Sequence, residues 1–119
     1  MAIAKTSFSL LASTSVGAAA PINAAEWDMS ALFSGIVVGK IVNGASAPVA
    51  TAPIVVFFGG ESTGVKREIW RMGGDLAVTS TTPVVFRVPK EIKFLNVTVT
   101  GGGTNGSTFE LMGLGFTGP

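Results

Sequence analysis

The sequence predicts an all-β protein, a single antiparallel β-sandwich or jelly-roll-like domain of about seven to eight strands with an extended N-terminal arm. Three observations lead to that class. Short apolar stretches rich in Val, Ile and Phe alternate with Gly, Pro, Asn and Ser turn chemistry. The connections between them are mostly shorter than about 12 residues. No segment repeats apolar residues at i, i+3, i+4 and i+7 over enough length to form a helix.

Taken in order, Thr6, Phe8 and Leu10 alternate with Ser7, Ser9 and Leu11 and form a first strand. Residues 12–25 are rich in Ala and Ser, lack helical periodicity, and are expected as an irregular arm. A short apolar segment from Trp27 to Phe33 follows, interrupted by Asp28 and Ser30. The stretch Gly35 to Val42 is the clearest strand, and Asn43-Gly44 ends it as a turn. After a loop with Pro48 and Pro53, the five apolar residues Ile54 to Phe58 suggest a strand buried on both faces.

Gly59 to Gly64 turns the chain into Val65–Met72, which Gly73-Gly74 ends. Val84, Phe86 and Val88 share one face of the next strand, which Pro89 closes. Leu95, Val97 and Val99 alternate with Asn96, Thr98 and Thr100, as in a half-buried strand with a polar outer face. Gly101 to Gly106 connects it to a return strand, Thr108 to Phe116. There Phe109 and Leu111 share a face, and Gly113 and Gly115 mark a bulge or a close backbone approach. The expected division is an N-terminal strand and arm over 1–25 and a sandwich over 26–119.

A chain of 119 residues is about one domain and buries enough surface to fold without staples. It has no cysteine, so disulfides and thiolate metal sites are excluded. Net charge is +1, which creates no global field for nucleic acid or anionic lipid. Charged residues make up 13%, against about 25% in typical soluble domains. Two explanations fit: Ser and Thr hydroxyls stand in for charges on the outer face, or neighbouring subunits cover part of the surface.

Residues 1–25 place Lys5 before Phe8-Ser9-Leu10-Leu11, but Ser9, Ser13, Thr14, Ser15 and Gly17 break the apolar run that a secretory signal needs. No cleaved signal is expected. The longest uncharged runs, 6–25 and 41–60, carry Pro21, Pro48, Pro53 and many small polar residues, so no transmembrane helix is expected.

The chain contains no histidine and no tyrosine. The commonest general base and metal ligand are therefore missing, as is the usual partner of a nucleophilic serine. No lysine spacing supports a Ser-Lys arrangement, and the seven acids are scattered. Glu26 and Asp28 flank Trp27; that cluster fits calcium or a sugar, or solvated charges at a loop edge. Neither Gly35–Lys40 nor Gly60–Lys66 has the spacing of a phosphate-binding loop, and Gly101–Gly103 precedes a strand. No enzyme, cofactor or metal site is expected.

Lys66-Arg67-Glu68-Ile69-Trp70-Arg71 is the one basic run, and at period two neither of its faces is purely apolar. It fits a contact strand, because Trp and Arg are enriched at interface hot spots, or a charged edge strand. A nucleic-acid site needs a larger basic patch. Asn96-Val97-Thr98 and Asn105-Gly106-Ser107 match the glycosylation tripeptide but are also ordinary strand and turn chemistry.

The order of these features resembles the small virion proteins of tailed bacteriophages that decorate or cement capsids or sit in the tail. The features are Lys5-Thr-Ser opening a strand, Trp27-Asp-Met-Ser, Lys40-Ile-Val-Asn-Gly44, Asn96-Val-Thr-Val-Thr-Gly101, Asn105-Gly106 and the closing Phe109-Glu-Leu. The resemblance implies a non-enzymatic structural protein located in the virion and made in the host cytoplasm. Capsid decoration is its first expectation; a tail or neck component, or a carbohydrate- or cell-surface-binding module, is the alternative. The implied partners are a major capsid or other virion protein and copies of the chain itself, with a trimer favoured; nucleic acid and membrane are not among them. Ile3 and Phe8 on the arm, with Arg67, Trp70 and Arg71 on the basic strand, are the expected assembly contacts.

Overall fold

The computed structural model describes residues 4–17, 20–46, 51–62 and 65–117. Nine strands run through them: β1 (Ala4–Val16), β2 (Pro21–Asn23), β3 (Trp27–Asp28), β4 (Ser34–Asn43), β5 (Ile54–Ser62), β6 (Val65–Gly73), β7 (Thr81–Val88), β8 (Phe94–Thr100) and β9 (Ser107–Thr117). The described residues contain no helix. The strands pair in nested order. β5 pairs with β6, β4 with β7, β2 and β3 with β8, and β1 with β9, all antiparallel.

This nesting is one long hairpin rolled so that its arms alternate between two layers. The pairings β4–β9 and β5–β8 complete the layers. One sheet has the order β1-β9-β4-β7, the other β2-β8-β5-β6 with β3 also against β8. That topology is a jelly roll, with β2 and β3 acting as two pieces of one edge strand. The all-β sandwich expected from the alternation is what the chain forms.

Alternation fixes which residues turn inward. Leu95, Val97 and Val99 of β8 face Val37 and Ile41 of β4, Phe109 and Leu111 of β9, and Val84 and Val88 of β7 in one continuous core. In β5, Val55, Val56 and Phe57 are all buried, so the five-residue apolar run is covered on both faces at its centre. Phe57, Trp70 and Phe86 close the β6–β7 side of the sandwich. Trp70 stacks on Phe86 with centroids 4.9 Å apart, and Phe57 lies 4.6 Å from Phe86.

Two local readings of the sequence are corrected. First, residues 12–25 are not an irregular arm throughout. β1 continues to Val16 along β9, and β2 pairs with β8. The cause lies in Leu10 and Val16, both buried: Leu10 sits in the first of two register shifts and the small Ala12 and Ser13 in the second, and both side chains stay inward. Second, strict period two fails in β6. Phe57 pairs with Trp70 but Phe58 with Glu68, so Ile69 is an extra residue and packs inward beside Trp70. In the apolar segment after residue 26 only Trp27 and Asp28 pair, against Leu95 and Phe94.

All four sheet edges are blunted against strand addition. β1 carries its two register shifts, β6 its bulge and its charges, and β7 has Pro83, which lacks an N–H. The β2–β3 edge begins with Pro21 and breaks between Asn23 and Trp27.

Candidate functional site: the uncharged end of the sandwich

The register brings four connections to one end of the molecule. Asn43 pairs with Ser107, Val16 with Ser107, Val42 with Thr81, and Ile54 with both Thr100 and Gly73. The described parts of the connections 17–20, 44–53, 74–80 and 101–106 therefore emerge side by side. In the sequence, Asp75 is the one charged residue in all four. The opposite end differs sharply, since its β7–β8 connection alone contains Lys90, Glu91 and Lys93.

Backbone hydrogen bonds interlock the described parts of these connections. Gly101 N–H donates to the Ala20 carbonyl at 3.1 Å and Gly103 N–H to that of Thr51 at 2.8 Å. Gly74 N–H donates to Pro53 at 2.7 Å, and Thr79 N–H to Gly44 at 2.8 Å. A Cβ at Gly101 or Gly106 would overlap the carbonyls of Val16 and Gly17, so the close approach of 101–106 to the end of β1 requires glycine.

The hub of this end is Asn43, which is 2% exposed. Its Nδ2 donates to the carbonyls of Asp75 at 2.7 Å and Ala77 at 2.9 Å and to Ser80 Oγ at 3.2 Å. Its Oδ1 accepts from Ser107 Oγ at 2.7 Å. Among the described residues no buried side-chain polar atom lacks a partner. Asp75 Oδ1 in turn accepts from Leu76 N–H at 2.6 Å and Ala77 N–H at 3.2 Å, which directs its carboxylate back onto the loop.

What the pinned loop presents is apolar. Leu76 is 46% exposed and Val78 52%. Thr79 (φ 51°) and Thr104 (φ 62°), the two non-glycine residues with positive φ among those described, both lie at this end. A β-branched residue in that region is strained, and strain persists where surrounding structure over-determines the backbone. A tip pinned in this way, with two exposed aliphatic side chains and Asp75 as its one charge, can enter an apolar depression with little loss of loop entropy and with a single carboxylate to keep solvated.

The contact residues expected from the sequence are dispersed. Ile3 lies outside the described residues. Phe8 is half-buried and stacks on Trp27 with centroids 5.9 Å apart and 3° between planes. Trp70 packs against Phe57 and Phe86. Arg71 makes a two-pronged contact with Glu68, Nε to Oε2 at 2.8 Å and Nη2 to Oε1 at 2.7 Å. That hydrogen-bonded pairing holds the exposed Glu68 carboxyl below its ordinary range and raises the Arg71 guanidinium. Arg67 is exposed on the β6 edge.

Nor do the acids around Trp27 form a ligand site. Trp27 is buried, so its ring is closed to a sugar from solution. Glu26 is ion-paired with Lys66. Asp28 accepts from Ser30 Oγ and N–H, and the hydroxyl bond first of all lowers its pKa. Among the described residues no group of three or more acidic, His or Cys side chains could hold a metal.

No protein-family model matches the sequence, and no curated protein matches it. Solved structures share its fold over nearly the whole chain. A protein of the Bacillus endospore appendages, described as a novel family of disulfide-linked pili, is 17% identical with a TM-score of 0.59, over 97% of this chain and 88% of its own. The PBSX exported protein XepA is 14% identical with a TM-score of 0.65, over 96% of this chain and 38% of its own. A chain of the infectious bursal disease virus Gt strain is 13% identical with a TM-score of 0.61, over 98% of this chain and 33% of its own. This chain therefore spans 38% and 33% of the latter two proteins. At such identities the likeness establishes the fold alone. With no cysteine, this chain has no means of forming disulfide links.

Proposed function

We propose that the chain is a non-enzymatic structural protein of a phage virion, a capsid decoration or cement protein that docks by its uncharged end. The observation carrying this is the interlocked set of four connections with one charge, Asp75, from which Leu76 and Val78 project. Interface cores are depleted of charged residues, because a charge removed from water without a partner is costly. The blunted edges favour docking through loops and faces over strand addition. The fold shared with an infectious bursal disease virus chain and with a pilus protein is consistent with a role in assembly, and a protein needed in many copies gains from requiring no cofactor.

Mutation of the tip tests this reading. Leu76→Asp/Val78→Asp places two charges where both residues are about half exposed, so the free protein is expected to stay folded. Incorporation into particles is expected to fall at least about tenfold, since burying an unpaired carboxylate costs well over 1.4 kcal/mol. Undiminished incorporation of a folded double variant contradicts end-on docking. The ratio of this chain to the major shell protein separates decoration, which is near-stoichiometric, from a tail or neck component present in a few copies.

A further inference from the structure

The outer face of the β1-β9-β4-β7 sheet is unlike the polar face that alternation leads one to expect. In register, Leu114 of β9 lies beside Ile36 of β4 and Met112 beside Val38, and one step further Glu110 lies beside Lys40. Met112 is 44% exposed, and Val85, the β7 partner of Val38, is 58% exposed. An apolar ladder thus ends in a carboxylate and an ammonium side by side. Among the described residues the ion pairs are Lys66–Glu26 and Arg71–Glu68, so Lys40 and Glu110 do not bridge each other within the chain.

We infer that this face binds a second copy of the same chain, around a two-fold axis running parallel to the strands along the seam between β4 and β9. Rotation about that axis keeps every cross-strand row at its own level and exchanges the two sides of the seam. Leu114 then meets Ile36 of the second copy, and Met112 meets its Val38. Lys40 meets Glu110 of the second copy, and Glu110 meets its Lys40. Arg87, beside Ile36 on β7, falls opposite Ser7, which lies beside Leu114 on β1. No like charges meet in these rows. The interface is isologous and repeats the aligned face-to-face packing that sheets already use inside a sandwich. It is a two-fold contact, whereas the bacteriophage resemblance favours a trimer. The pairing is a property of the chain in solution, independent of what the uncharged end docks onto.

Charge reversal with mixing tests the inference. Sedimentation equilibrium of the wild type is expected to give a dimer, while Lys40→Glu and Glu110→Lys, each measured alone, associate at least about tenfold more weakly because like charges now face each other. Both side chains are exposed, so circular dichroism should show both variants folded. An equimolar mixture of the two single variants restores opposite charges in both contacts, and a heterodimer of wild-type strength should form. A monomeric or trimeric wild type overturns the inference. So do single variants that dimerise as well as the wild type, or a mixture that stays monomeric.

Discussion

Replacing Asn43 with alanine is expected to lower the free energy of unfolding by roughly 3–5 kcal/mol, as read from the midpoint of a urea transition at constant slope. Four hydrogen bonds converge on this side chain, and all their partners stay behind when it is removed. Ser107, its hydroxyl partner on β9, is itself buried. Stranded polar groups of this kind cost about 1–3 kcal/mol each, against a typical total stability of about 5–15 kcal/mol. Asn43→Asp should fare little better. It keeps an acceptor for Ser107 but sets a carboxylate against the carbonyls of Asp75 and Ala77. A variant that loses no more than about 1 kcal/mol would mean that the loop is held by its backbone bonds alone.

Trp27→Ala is expected to cost a similar amount, roughly 3–5 kcal/mol, by a different mechanism. The indole is 3% exposed and stacked on Phe8. A Cβ at Gly113 or Gly35 would touch its ring, which therefore lies over β9 and β4 where those strands carry no side chain. Truncation empties that space, and a glycine-floored pocket has little with which to refill it. Trp27 pairs with Leu95, at the end of β8 remote from the docking loops. At a temperature where both variants are folded, Trp27→Ala should therefore still dock, while Asn43→Ala, with its tip released, should dock poorly.

These two residues also mark how far the sequence carries. Alternation located β4, β7, β8 and β9 to within a few residues, because each has one face in the core, and the core accepts only period two; β5 was legible instead as an unbroken apolar run covered on both faces at its centre. The short pieces β2 and β3 were not legible, since two or three residues paired to β8 leave no periodic signal. The bulges in β1 and β6 depend on partners distant in the chain. Asn43-Gly44 reads locally as a turn, and nothing in a dipeptide reveals that its amide locks a loop more than thirty residues away. The uncharged runs 6–25 and 41–60 were visible. That their loops meet 74–80 and 101–106 at one end follows only from the nested topology. The resemblance pointed to assembly, but of the residues singled out for contact (Ile3, Phe8, Arg67, Trp70 and Arg71), Phe8, Trp70 and Arg71 already pack or pair within the chain.

The most direct measurement is the orientation of the bound subunit in an electron cryomicroscopy reconstruction of the virion. With extents of 49 × 29 × 17 Å the subunit is far from spherical, so its long axis can be fitted directly, and the side chains of the two ends then tell them apart. Docking by the uncharged end predicts that Leu76 and Val78 lie within about 4–4.5 Å of a neighbouring virion protein, with Lys90, Glu91 and Lys93 facing solvent. A subunit seated on its charged end, with Leu76 and Val78 in solvent, would contradict it.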